Sequence, residues 1–346
     1  MFLNLLQVLR TFPTGKIGLL MSEKSARAFW VTGPGMGEIR TEALDAPLHG
    51  EVAIRTLYSA ISRGTESLVF NGAVPASEFD RMRAPFQEGD FPAPIKYGYI
   101  NVGVIDQGPP NLLGRSVFCM YPHQTYYIVP ENAVYLLPEN VPESRAVLAA
   151  NLEAVVNGLW DATPRVGDRI TIVGAGVLGF LFAWLTARIP GCIVEIVDIN
   201  PNKASLANTL GIPFKLPDQV RPEADLVIHT SGTSEGLTTS LACANFEAKV
   251  LEMSWFGDRQ VSLPLGEAFH SQRLTLQSSQ VSSISTIQRG RWSSERRMEL
   301  ILRLLSDSDL DALITGESQF KELPVLMKTL ANKPENTLCH RIKYTE

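Results

Sequence analysis

The sequence predicts a two-domain α/β protein, a barrel-like all-β domain followed by a doubly wound parallel sheet with crossover helices. Three observations predict it. Short strand-like runs punctuated by Pro and Gly occupy about residues 26–140. Strand and helix patterns alternate from 169 to about 265. A glycine-rich turn, Gly174-Ala175-Gly176-Val177-Leu178-Gly179, joins the first strand of that alternation to its first helix. The chain has 346 residues, enough for two domains with their own cores, and its 45% hydrophobic and 19% charged content is that of a globular protein.

Residues 1–25 read as an N-terminal extension, and Met21, opening "MSEKSARAFWV", as a natural start. The first domain spans 26–150. Its strands are carried by "EVAIRTLYSAI", "YGYINVGVID", "RSVFCMY" and "TYYIVP", separated by "GPG", "FPAP" and "QGPPN". One interruption stands out: in "LYSAISRGTESLVFNG" an apolar run stops at Ser62, Arg63, Gly64, Thr65 and Glu66, then resumes. Near 142 the texture turns helical, with Leu148, Leu152, Val155, Val156 and Leu159 on one face of "PESRAVLAANLEAVVNGLWDA". The second domain spans 151–288, where "RITIV", "CIVEIVDI", "ADLVIHTSG" and "AKVLEMSWFG" read as strands between helical segments. Residues 289–346 form a closing segment with a last helix, "SSERRMELILRLL", and a last strand, "HRIKY".

The net charge is −5 and no long basic run occurs, which argues against a nucleic-acid partner. No apolar stretch reaches the roughly 18 residues of a membrane span. Cys119, Cys192, Cys243 and Cys339 are far apart and lack zinc-ligand spacing, so free thiols and a cytoplasmic protein are expected. The arginines of "QRGRWSSERR", including Arg297, read as a solvated loop and helix face. His49, His229, His270 and His340 read as structural.

The glycine turn is a phosphate cradle. Gly174 permits the tight turn, Gly176 lets backbone approach a pyrophosphate, and Gly179 lets helix pack on strand. The helix start, at Val177 and Leu178, offers amide N–H groups to an anion. The next strand ends in Asp198, 24 residues after Gly174, where a carboxylate accepts from both adenosine ribose hydroxyls and repels a 2′-phosphate. NAD(H) is therefore favoured over NADP(H). Ala175, Ile199, Asn200, Lys203, Thr230 and Ser231 complete the expected cofactor set.

This order of segments, from about residue 26 onward, resembles the medium-chain dehydrogenase/reductase superfamily, the zinc alcohol dehydrogenase-like proteins. The resemblance implies a GroES-like catalytic barrel, a Rossmann domain, a C-terminal return to the barrel, and a cleft between the two domains. Homodimers are common in the family. Zinc members carry a segment like G-I-C-G-T-D where this chain has "ISRGTE". The alignment puts Arg63 at the ligand Cys, Thr65 at the relay hydroxyl and Glu66 at the acid behind the metal. Tyr99 stands at the ligand His, Ile100 at the following Glu, and a residue near Ala150 at the third ligand. The lobe of four cysteines is missing. The resemblance with these departures implies a zinc-independent member. "SAISRGTES", "YPHQT" and "LEAVVNGLWDA" are most similar to the group around the hydroxyethyl bacteriochlorophyllide dehydrogenases.

Carbonyl chemistry without a metal requires hydrogen-bond donors for the developing oxyanion and a route for a proton. Thr65, Tyr99 and His123 are the candidate catalytic groups. Arg63 and Glu66 are candidates either as reactants or as a buried pair, with Glu153 as another partner for Arg63. Tyr121 and Glu153 are candidates for the substrate pocket. The expected function is NAD(H)-dependent interconversion of a secondary alcohol and a carbonyl on a medium-sized organic small molecule. The alternatives are an NADPH-dependent quinone or enoyl reductase and a silent dinucleotide-binding scaffold.

Overall fold

The computed structural model describes residues 24–332 and 337–345. Apart from Lys24 and Ser25, the expected extension over 1–25, with its start at Met21, lies outside the described residues.

The alternating first third forms antiparallel strands. β1 (Lys24–Gly33) and β2 (Met36–Leu44) are a hairpin whose turn uses Gly35 at φ 70°, a left-handed conformation that glycine adopts without Cβ strain. β3 (Glu51–Ile61), β4 (Glu88–Gly89), β5 (Ile95–Lys96), β6 (Asn101–Gln107), β7 (Ser116–Cys119), β8 (Tyr126–Pro130) and β9 (Val134–Leu136) follow. One sheet has the order β2-β1-β5-β4. A bridge between Ala28 and Gln124, and the Phe29 N–H donating to the His123 carbonyl at 2.9 Å, tie β1 to the chain beside the next sheet.

The parallel sheet contains β10 (Arg169–Val173), β11 (Ile193–Val197), β12 (Phe214–Lys215), β13 (Ala224–His229), β14 (Ala244–Glu252) and β15 (Thr275–Ser278), ordered β12-β11-β10-β13-β14-β15. Its central strands read as continuous apolar runs because helices cover both faces, and Ile172, Ile196, Val227, Ile228 and Val250 are fully buried. The strand order reverses between β10 and β13, which opens a crevice at the carboxyl ends of those two strands.

Two late strands, β16 (Ile314–Gln319) and β17 (Cys339–Lys343), leave this sheet and join the barrel-like part. There the path is β16-β17-β3-β6-β7-β9, with β8 also on β3. β17 lies antiparallel on β3, pairing Ile342 with Ser59 and Lys343 with Tyr58. The fold is thus α/β, combining a GroES-like β-rich part with a Rossmann parallel sheet.

The α-helices among the described residues are α1 (Arg63–Phe70), α2 (Glu143–Ala146), α3 (Ala149–Ala162), α4 (Val177–Thr186), α5 (Lys203–Thr209), α6 (Ser234–Cys243), α7 (Ser294–Leu304) and α8 (Leu323–Asn332). The expected face of α3 is buried through Leu148, Leu152, Val155 and Val156, and it shares one core with Ile100, Phe118, Ile170, Phe182 and Ile301. Two expectations are corrected. The last helix is α8, not the segment at "SSERRMELILRLL", which is α7. Arg297, expected in solvent, is 3% exposed, because α7 turns it inward onto Glu153.

Candidate active site

The expected cofactor side is set by the turn after β10. Gly174 has φ 109°, and its N–H donates to the Val197 carbonyl at 2.8 Å. A Cβ there would lie 2.6 Å from the Ser231 amide nitrogen, and one on Gly179 would lie 1.9 Å from the Gly174 oxygen. Both positions exclude a side chain. Gly176 is the N-cap of α4 and supplies no side-chain cap, so no cap answers the N–H groups of the first turn at Val177, Leu178 and Gly179. Asp198, just past β11, accepts from the Ala175 N–H at 2.7 Å and from the Asn200 N–H at 2.9 Å. Ile199 is exposed, and Lys203, the first residue of α5, is buried. Thr230 donates its hydroxyl to the Gly174 carbonyl at 2.8 Å. The Ser231 Oγ meets His229 Nε2 at 2.6 Å, and His229 Nδ1 meets Glu252 at 2.6 Å, which pins the loop after β13.

The polar knot at 62–66 is a helix start, which sequence reading missed. α1 begins after Ser62, whose N–H donates to the Glu66 carboxylate at 2.8 Å while its carbonyl accepts from the Glu66 N–H at 2.8 Å. A serine just before the helix with an acid in its first turn is the signal that could have found it. The other Glu66 oxygen lies 2.9 Å from His123 Nε2, His123 Nδ1 lies 2.7 Å from Ser59 Oγ, and Ser59 Oγ lies 3.0 Å from Tyr344 Oη. Ser59 and His123 are buried, so both imidazole nitrogens work within this chain of hydrogen bonds. Tyr99 donates to Ser62 Oγ at 2.5 Å and is also hydrogen-bonded to the Thr65 side chain. Burial first, and the Glu66 charge second, push its phenol up to about 12, against the pull of Ser62 and Thr65. Three hydroxyls therefore converge at the start of α1.

Other expected residues lie elsewhere. Tyr121 is buried, with its ring stacked on Tyr127 at 3.8 Å between centroids, a contact of the β-rich core. Glu153 accepts from Arg297 at 2.8 and 3.1 Å, and burial, opposed by Arg297, raises its pKa. The carboxylates expected to pair with Arg63 thus face His123 and Arg297. The Arg63 guanidinium donates to the Thr337 carbonyl and reaches toward Gly176.

Zinc takes about four N, S or O donors in tetrahedral array. The positions that the resemblance assigns to zinc hold Arg63, whose guanidinium has no lone pair to give, Tyr99 and the methyl of Ala150. Among the described residues no group of three or more His, Cys, Asp or Glu side chains is placed to hold a metal ion. This donor set does not fit zinc. The glycine cradle and Asp198 do fit a dinucleotide, because the space that Cβ atoms would occupy is left clear at Gly174 and Gly179.

No family model matches the chain. D-guloside 3-dehydrogenase of Escherichia coli (strain K12) is 26% identical over 321 residues, covering 84% of this chain and 89% of that protein. An uncharacterized zinc-type alcohol dehydrogenase-like protein of Haemophilus influenzae is 27% identical over 213 residues, 58% of each chain. A protein named short chain alcohol dehydrogenase from Escherichia coli CFT073, in complex with NADH, superposes with TM-score 0.71 at 15% identity, over 92% of this chain and 99% of that one. L-idonate 5-dehydrogenase from Escherichia coli K-12 superposes with TM-score 0.75 at 14% identity, over 93% and 99%. Among the described residues no helix is long and apolar enough to cross a membrane.

Proposed function

We propose that this chain, a member of the medium-chain dehydrogenase/reductase superfamily, is an NAD(H)-dependent, zinc-independent oxidoreductase that interconverts a secondary alcohol and a carbonyl on a small organic molecule. The observation that carries the reading is the glycine cradle at the sheet's switch point, with Asp198 at the end of the neighbouring strand. The E. coli relative, named for dehydrogenation of a D-guloside at position 3, falls within this substrate class.

Gly174, Gly176 and the first turn of α4 would hold the pyrophosphate, and Asp198 the adenosine ribose. A nicotinamide bound there supplies the hydride acceptor or donor. The chain's own residues supply the rest. Tyr99 stays protonated at neutral pH, since its phenol titrates at about 12. By donating to Ser62 Oγ it leaves the Ser62 proton free to point at a substrate oxygen, while the Thr65 hydroxyl donates to the phenol oxygen. In this reading Ser62 stabilises the alkoxide in place of a metal, with Tyr99 and Thr65 holding it in line, and one such donor is worth roughly 2.7–4 kcal/mol in the transition state. His123 is a positioning residue: it holds Glu66, which holds Ser62 through the backbone.

The test is titration of the purified protein with NADH and NADPH, followed by turnover on secondary alcohols, glycosides and ketones, with metal analysis in parallel. Tight NADH binding, turnover of a secondary alcohol and less than stoichiometric zinc are expected. Preference for NADPH with activity on enones or quinones would replace the proposal with a double-bond reductase. Nucleotide binding without any turnover would favour a silent scaffold.

A further inference from the structure

Arg297 turns inward, but the other arginines of its run, Arg289, Arg291 and Arg296, are exposed. They border an apolar groove that the dinucleotide reading leaves unused. The groove lies between the C-terminal ends of α3 and α4 and the side of α7, and its volume is about 490 Å³. Small-molecule sites commonly span about 300–1,000 Å³. Leu159, Trp160, Leu185, Ile189, Leu300 and Leu304 line it. Ile287 closes one side and is 53% exposed, a large apolar residue at the surface beside three cations.

The two ends of the groove differ in charge. At the α4 end the Arg188 guanidinium is already answered, by Asp307 at 2.6 Å and Asp309 at 3.7 Å. The last turns of α3 and α4 also carry negative partial charge there, which disfavours an anion. At the other end Gln288 lines the groove, Arg289 follows it, and Arg291 donates to the Gln288 side chain at 3.4 Å. The Arg296 guanidinium lies 4.0 Å over the Trp292 ring, and that ring packs on Trp160 at 4.9 Å. Among the described residues Arg289, Arg291 and Arg296 have no carboxylate partner. At about 100° per residue, Leu300 and Leu304 share one stripe of α7, Arg296 and Arg303 the next, and Glu295 and Glu299 the one beyond. The acids of α7 therefore stand on the far side of its arginines from the groove.

We propose that this groove binds a single-chain amphiphilic carboxylate, a medium-chain fatty acid, with its aliphatic chain on Trp160 and Leu300 and its head among Arg289, Arg291 and Arg296. An apolar floor alone would take any hydrophobe; the unanswered guanidinium groups select the anion. Because they are exposed, the head keeps part of its water while the chain loses its own. The site is separate from the crevice: α4 turns its first residues to the glycine cradle and its last to the groove.

The experiment is calorimetric titration of the full chain with decanoate, octanoate, decanol and decyltrimethylammonium, all below micelle formation. It is run on wild type, Ile287→Glu and the triple variant Arg289→Gln, Arg291→Gln, Arg296→Gln. Decanoate should bind saturably and about tenfold or more tighter than octanoate, since each buried methylene is worth about fourfold. Decyltrimethylammonium should bind more weakly than decanol. Ile287→Glu, at an exposed position, should weaken decanoate by about tenfold or more without lowering the melting temperature. The triple variant should weaken decanoate by about tenfold and leave decanol unchanged. The two variants alter different parts of the site, so either one decides the matter should the other unfold. No saturable binding of decanoate, equal binding of decyltrimethylammonium, or decanoate affinity unchanged in the folded variants would overturn the proposal. None of these outcomes bears on the dinucleotide reading, which NADH titration of the same samples tests separately.

Discussion

On the cofactor side, Gly174 and Gly179 make room at the end of β10 by lacking side chains, and the groups offered to a ligand are mostly amides. On the proposed substrate side, the start of α1 offers hydroxyls and a carboxylate that are held by one another: Tyr99 on Ser62, Ser62 on Glu66, Glu66 on His123, His123 on Ser59. A backbone site is set by where glycines fall. A site of side chains is set by long-range pairings, here between residues up to 285 positions apart, as for Ser59 and Tyr344. The first should tolerate loss of a single side chain and fail when one is added. The second should fail when one hydroxyl is removed.

The largest effect expected is on a pair that supports both sides from behind. Arg297 on α7 holds Glu153 on α3, both almost fully buried, and also donates to Asn157 at 2.8 Å. Arg297→Met leaves a buried carboxylate alone and should cost about 3–5 kcal/mol in urea unfolding. The pH dependence has a definite sign. Burial holds Glu153 above its unfolded pKa, so its contribution is fully present below the unfolded value and is lost as pH rises through the folded one. Without Arg297 that pKa rises further, and the deficit of the variant should be larger at about pH 8 than at about pH 5. A deficit independent of pH would mean that the loss is packing alone.

Next in size is removal of a hydroxyl from the substrate side. Ser62→Ala should lower kcat by about 10²–10³-fold, the worth of one donor in the transition state, with NADH affinity unchanged. Tyr99→Phe should lower it too, by acting through Ser62. Turnover near wild type in both would remove the hydroxyl cluster from the mechanism.

The two sides also differed in legibility. The cradle could be read because its physics is local: strand, three glycines and the next strand's acid lie within a short stretch of chain. Thr65, Tyr99 and Glu66 could be named through the family resemblance, but their arrangement could not. Ser62 was passed over because its role depends on a helix that begins one residue later, where "SRGTE" looked like an interruption between strands. Tyr344 and Ser59 carry no local signal, since β17 brings them together only after the chain has left the parallel sheet. Arg297 failed for a related reason. It sits in an arginine-rich run, and only the packing of α7 on α3 distinguishes the buried arginine from its solvated neighbours.

Adding one carbon to the cofactor side gives a smaller but sharp effect. In Gly179→Ala the new Cβ would sit 1.9 Å from the Gly174 oxygen and 3.0 Å from Thr230 Oγ1. Backbone must move, at a cost of about 1–3 kcal/mol, and the shift opens the turn that would hold the phosphates. Thermal unfolding should show the loss, and NADH should no longer raise the melting temperature. Retained binding would show that the turn is more plastic than a backbone site should be.

The smallest effect concerns the acidic side chain of the cradle. Asp198 accepts two backbone N–H groups and lies within electrostatic reach of Arg63 and Lys203. These cations weaken its repulsion of a 2′-phosphate, so its selectivity should be modest. Asp198→Asn keeps one acceptor oxygen and removes the charge. It should move the ratio of NADPH to NADH affinity toward NADPH by about tenfold, or about 1.4 kcal/mol. The loss of an anionic acceptor for the Ala175 N–H should weaken both ligands together, so the ratio, and not either constant alone, reports the charge. An unchanged ratio would show that Asp198 serves the turn itself, as one more part of the backbone site, and that discrimination between the nucleotides lies outside the cradle.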